Sequence, residues 1–159
     1  MRPAGQEHWK IISITGHREL SGKDTSRVRS AMKLLVENPT VDAIYFGGAL
    51  GTDTIALRAA AEFRKGNKPR LVVVVPDTEE AQPFHARQWI HLADETVELH
   101  HPITASDGFS AYKKRNEYLV DICTALVAFY SGKKQSGTGH AVQYALSNGV
   151  LTHEVRVGQ

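Results

Sequence analysis

The stretch "RLVVVVP", residues 70–76, constrains this chain more than any other. Its unbroken apolar, β-branched run has no polar alternation, so the strand it forms is buried on both faces. That is the condition of a strand inside a parallel sheet. Parallel strands need long crossover connections, usually helices, and the rest of the chain supplies them.

Apolar runs and helical patterns alternate almost from end to end. "WKIISIT" (9–15) reads as the first strand, and Val28, Met32 and Leu35 recur at i, i+4 and i+7 in a helix that stops at Asn38–Pro39. "VDAIYF" (41–46) is the second strand, followed by a helix expected to run to about Gly66 as its C-terminal cap. After residues 70–76, a helix is expected across 77–93 despite Pro83, then a short strand "TVELH" (96–100). A helix over 110–122 leads into "ALVAFY" (125–130); "GHAVQYALSNG" closes at Asn148–Gly149, and "VLTHEV" is the last strand. This alternation predicts one α/β domain over 1–159, a Rossmann-like, doubly wound, mainly parallel sheet of about six strands with helices on both faces. In such a fold the loops 16–23, 47–53, 76–80, 101–110 and 131–139 share one edge, where ligands bind.

Four segments on that edge carry candidate chemistry. "TGHRE" places Gly16, His17 and Arg18 directly after a buried strand, with backbone able to approach a ligand and a guanidinium suited to phosphate or carboxylate. "FGGALGTD" places Gly47, Gly48, Gly51, Thr52 and Asp53 at a strand-to-helix turn. It lacks the lysine of a P-loop and the order of a dinucleotide fingerprint, yet its glycines and helix start offer N–H groups to an anion. Asp53 has two readings, an N-cap or an acceptor for ribose hydroxyls or a base. Arg115 and Asn116 fall near a helix start, and Asn116 shares a stripe with Tyr112, Leu119 and Cys123. A buried asparagine there demands hydrogen bonds. Finally, Ser136, Gly137 and Thr138 precede another helix, a second anion-accepting terminus. Asp121, near a helix C-terminus, is expected to have a structural partner.

Other chemistries are excluded or weak. The eight histidines show no ligand-like spacing and the single cysteine, Cys123, reads as a small buried hydrophobe in a reducing compartment, so no metal and no disulfide framework are expected. A net charge of +2 is too small to argue for nucleic acid by itself, and the scattered aromatics read against a stacking platform. No run approaches a membrane span and "MRPAGQEHWK" has no apolar leader core, so a soluble cytoplasmic protein without membrane contact is expected.

On "ITGHRE" (14–19), "FGGALGTDTIAL" (46–57), "KRNEYLVDICTALVAFYSG" (114–132) and "SGTGHAVQYA" (136–145), the chain resembles the SLOG superfamily, its YpsA-like branch, related to the DNA-processing protein A family. The resemblance implies a bacterial, homo-oligomeric (dimeric) protein that binds a nucleotide or nucleoside-phosphate ligand as a sensor, with no obligatory cofactor and no assigned catalytic residue. The implied contacts are Gly16, Arg18, Gly47, Gly48, Gly51, Thr52, Asp53, Arg115, Asn116, Ser136, Gly137 and Thr138. Two alternatives come with the superfamily. One is single-stranded DNA binding, with Lys113, Lys114 and Arg115 in the basic region. The other is N-glycoside hydrolysis of a nucleoside monophosphate. For the latter, the family motif places its glutamate where Ala141 stands, so Glu19 or Asp53 would have to act instead.

Overall fold

The computed structural model describes residues 8–103 and 108–158. Residues 104–107 of the expected edge loop 101–110 lie outside them.

Six strands form one sheet: β1 (Ile11–Gly16), β2 (Ala43–Phe46), β3 (Arg70–Val75), β4 (Glu95–Glu98), β5 (Ala125–Tyr130) and β6 (Leu151–Arg156). Their order is β4-β3-β2-β1-β5-β6, and every neighbouring pair is parallel. The chain therefore winds outward from β1 in one direction through β4, then returns to the far side of β1 for β5. The switch lies between β1 and β5, whose registers end on Gly16 opposite Phe129. All strand-to-helix loops leave from one edge, as the alternation requires.

The apolar periodicity explains the layers. Leu71 to Val75 are fully buried, so β3 does pack on both faces. On one face, α1 (Gly22–Glu37) and α2 (Thr52–Phe63) press Val28, Met32, Ala56 and Ala60 against Ile12, Ile44, Phe46, Val73 and Phe129. On the other, α4 (Gly108–Ile122) and α5 (Gly137–Ser147) contribute Val120, Ala141, Ala145 and Val142 against Leu126, Ala128 and Tyr130. No helix among the described residues is long and apolar enough to cross a membrane.

The start of α1 is closed by a capping box. The Ser21 hydroxyl accepts the Asp24 N–H at 3.1 Å, and the Asp24 carboxylate accepts the Ser21 N–H at 3.3 Å. Asp24 also accepts the Gly158 N–H at 3.2 Å, tying the segment after β6 to α1. Ser21→Ala is expected to cost about 1 kcal/mol, read as a fall of roughly 2–4 °C in thermal midpoint.

Two expected helices differ. The helix across 77–93 is only α3 (Phe84–Arg87) followed by a 3-10 turn, Ile90–Leu92. Pro83 stands before its first residue rather than inside it, and a proline pushes the preceding Gln82 out of helical backbone. Gln82 instead enters the core, where its amide donates to the Gly48 carbonyl at 2.8 Å. Gly66 is not the cap of α2, which ends at Phe63 with Arg64 extended. The Arg64 guanidinium turns away to bind Asp94 at 2.6 Å and the Pro69 carbonyl at 3.1 Å, leaving Gly66 in the following turn at φ +74.

Candidate functional site

The loop after β1 is stitched to two others through His17. Its carbonyl accepts the Thr52 N–H at 3.1 Å and the Thr52 hydroxyl at 2.8 Å. Its Nε2 accepts the Ser131 N–H at 3.0 Å, with the Ser131 hydroxyl at 2.9 Å. A backbone N–H can only donate, so Nε2 carries the lone pair and Nδ1 the hydrogen. Burial, then the charge of Lys133, hold the ring below its ordinary pKa despite Asp24, which suits the neutral form. Gly16 has no room for a side chain, because a methyl group there would strike Thr52.

In the glycine loop after β2, the N-cap of α2 is Gly51, at φ +75 and ψ −123, with no side-chain cap. The N-cap reading of Asp53 is thereby corrected: Asp53 is the second residue of the helix. Its carboxylate reaches backward to the N–H of Ala49 at 3.2 Å and to that of Gly47. With Thr52 bonded to His17, the N–H groups of 47, 49 and 52 all have internal acceptors. These bonds tie the loop to the segment after β1 and to the first turn of α2. Gly47 is wedged between two charges, since a methyl group there would lie 2.6 Å from Asp53 Oδ2 and 2.8 Å from Arg115 Nη1.

Arg115 and Asn116 carry this bonding across the site. Arg115 donates through Nη1 to the Gly47 carbonyl and through Nε to Asn116 Oδ1 at 2.8 Å. Asn116 Nδ2 donates to the Gly137 carbonyl at 3.2 Å. Both residues are buried, 5% and 6% exposed, so the asparagine on the apolar stripe does have its hydrogen bonds. Burial pushes the Asp53 carboxyl above the ordinary carboxylate value, against the pull of Arg115, the Ala49 and Gly47 N–H groups and Arg18. Burial also lowers Arg115, with Asp53 and Tyr112 opposing and Arg18 reinforcing the effect. A guanidinium nevertheless remains a cation. Arg18 and Arg115 against Asp53 leave the site with an excess of positive charge.

The loop after β5 completes it. Ser136 caps α5, accepting the Gly139 N–H at 3.0 Å and donating to the Lys133 carbonyl at 2.6 Å. Gly139 is required because a side chain would meet the Lys133 and Lys134 carbonyls. The N–H groups of Gly137 and Thr138, the first two of α5, have no acceptor of their own among the described residues. Lys133 and Lys134 stand exposed beside them.

These elements enclose a cavity of about 580 Å³ at the β1–β5 switch. Gly16, His17, Arg18, Asp53, Arg115, Asn116, Ser136, Gly137 and Thr138 line it, whereas Gly47, Gly48, Gly51 and Thr52 are not among its lining residues. Thr15, Ala49, Ile103, Tyr112 and Leu119 line it too, though none was singled out for the site from sequence. Tyr112 and Leu119 had a signal, their place on the stripe of Asn116; Ile103 had none. Glu19 is exposed and outside the lining, and Ala141 is buried at 1% exposure in the α4–α5 core. Asp121 has the expected partner, the Tyr144 hydroxyl, at 2.8 Å. No metal-ligating cluster occurs among the described residues.

A family model described as DNA recombination-mediator protein A matches residues 3–158. The SPbeta prophage-derived protein YoqJ of Bacillus subtilis (strain 168) is 33% identical over 115 residues, 62% of this chain and 66% of its own length. The chain's fold is similar to that of DNA processing protein A from Streptococcus pneumoniae, with a TM-score of 0.73, 18% identity, 94% of this chain and 51% of that one. DNA processing protein A from Helicobacter pylori, described for its single-stranded DNA binding mode, gives 0.71 at 16% identity, covering 96% and 68%. Moco carrier protein from Chlamydomonas reinhardtii gives 0.60 at 17%, covering 94% and 76%. The chain thus spans about half the length of the Streptococcus protein. At these identities the structural likenesses speak for the fold alone.

Proposed function

The chain belongs to the DNA recombination-mediator protein A family, and from that premise we propose that its pocket binds single-stranded DNA through one nucleotide unit. The observation that carries this reading is the cationic pocket itself. Buried Arg115 and exposed Arg18 outnumber Asp53, and the open N–H groups of Gly137 and Thr138 face the same space. Lys133 and Lys134 extend positive charge along the rim, where neighbouring phosphates of a strand would pass. A second reading, a free nucleotide bound as a signal, is favoured by the cavity's volume of about 580 Å³, which suits a small molecule.

Salt separates the two. A strand contacting Arg18, Lys133 and Lys134 should lose roughly twenty-fold in affinity between about 50 and 200 mM salt, from a slope near −0.7 per phosphate contact on single strands. Anisotropy of a labelled oligothymidylate measures this. Affinity that stays flat, together with tight binding of a mononucleotide, would replace the strand with the free ligand. A thermal melt checks the ligand reading independently, since about 100 times the dissociation constant adds about 2.7 kcal/mol. No response to either class of probe would refute both readings.

A further inference from the structure

The helices α1 and α2 carry a second feature, which shares no residue with the β1–β5 pocket. Two hollows of about 450 and 700 Å³ lie along the seam between them and meet at Glu62. Their floor is apolar: Ile55, Ala61 and Leu92 in the first, Val36 and Phe63 in the second, all half-buried against the core. Their walls are cationic, with Arg29, Lys33, Arg58, Arg64, Lys65 and Lys68 set against two carboxylates, Glu37 and Glu62. We propose that this seam docks an acidic amphipathic helix of a protein partner, its apolar stripe on the floor and its carboxylates against the walls.

The cations differ in what holds them. Arg64 is bound to Asp94, Lys68 to Asp42 at 3.3 Å and Arg29 to Glu62 at 2.9 Å. Lys33, Arg58 and Lys65 have no acidic partner among the described residues. Arg58 is nevertheless fixed in place, its guanidinium 3.9 Å from the centroid of the Trp89 ring. Stacking uses the face of a guanidinium and leaves the N–H donors in its plane open to a carboxylate. Lys33 lies 5.9 Å from the Phe63 centroid, so each hollow holds one such positioned cation. Along α2, the run from Ile55 to Lys65 is about 15 Å long, nearly three turns of a docked helix.

A peptide suits this surface better than a nucleic-acid strand does. Phosphate contacts make no use of an apolar floor, and a continuous polyanion would have to pass Glu62 at the junction. A peptide can set an uncharged or basic residue there. The pattern is that of a helix in a groove, with apolar anchors three and four residues apart and acidic residues beside them. Charge on the walls then selects the partner and speeds its arrival, while the floor supplies contact area.

The test screens a random library of phage-displayed peptides, about sixteen residues long, on the full chain. Selection should enrich Asp and Glu around apolar residues spaced at i, i+3 or i+4, and i+7. An enriched peptide, synthesised and labelled, should bind Arg58→Glu and Lys33→Glu at least about ten-fold more weakly, since each reversal turns attraction into repulsion. Both positions are exposed, and an unchanged thermal midpoint verifies that each variant is folded. Affinity for an oligothymidylate should be the same in both variants as in the unaltered protein. Enrichment of peptides without acidic residues, no enrichment at all, or equal peptide binding by both variants overturns the docking site. A loss of oligothymidylate affinity in the variants without a loss of peptide binding would assign the seam to nucleic acid instead. An unaltered protein that binds the peptide but no strand would refute strand binding and leave the docking site standing.

Discussion

Asp53→Ala is expected to destabilise the protein by about 3 kcal/mol, which for a chain of this size lowers the thermal midpoint by roughly 6–12 °C. The substitution removes the acceptor of the Ala49 and Gly47 N–H groups and the anion nearest a buried guanidinium. Each orphaned buried donor costs about 1–3 kcal/mol, and a cation left without its partner adds to that. Asp53→Asn keeps an acceptor and should cost less. A cycle with Arg115→Met measures the coupling, and purely additive losses would show that the two residues do not act as a pair. The pH dependence has an unusual sign. Burial holds the folded-state pKa of Asp53 above its unfolded value of about 3.9, so its contribution is complete below that value. It is lost as pH rises through the folded pKa. The stability advantage of the unaltered protein over Asp53→Asn should therefore grow on acidification. An advantage that shrinks on acidification would mean that Arg115 and the N–H groups outweigh burial.

Gly51→Ala is expected to cost about 3 kcal/mol or more, because two effects coincide. The residue sits at φ +75 and ψ −123, where a side chain is strained by about 1–3 kcal/mol. Its methyl group would also run into the Arg18 carbonyl and Cα, which belong to the loop after β1. Backbone cannot swing aside as a flexible side chain can, so the two loops must part. Chemical denaturation reads the loss. Gly22→Ala is the internal control: a methyl group there meets nothing within 4 Å, and Gly22 opens α1 with ordinary backbone. It should be neutral or stabilising by up to about 1 kcal/mol. Similar losses at both positions would mean that loop contact is not what demands glycine at 51.

Much of this was legible in the residues. Period and burial placed the six strands within a residue or two, since apolar spacing records which face meets a core. Asn116 was legible because a polar side chain on an apolar stripe must find partners, and it does so with Arg115 and Gly137. The segment 77–93 was not, because the pull of Gln82 toward the Gly48 carbonyl is a tertiary contact that competes with local helix formation. Tyr112 stood on the right stripe, but nothing local marks a ring as flanked by two guanidinium groups, one of them 94 positions away.

By itself, then, the sequence determined the layers, the parallel sheet and the edge on which the glycine-rich loops gather, because these follow from side-chain periodicity and crossover geometry. Only the tertiary structure decided what each loop does there. The loops "FGGALGTD" and "SGTG" look alike as anion cradles. In the first, the N–H groups of Gly47, Ala49 and Thr52 are taken by the Asp53 carboxylate and the His17 carbonyl, whereas the second keeps those of Gly137 and Thr138 open. A hydrogen-bond donor is free or engaged according to what other segments bring within about 3 Å of it, and spacing along the chain carries no record of that.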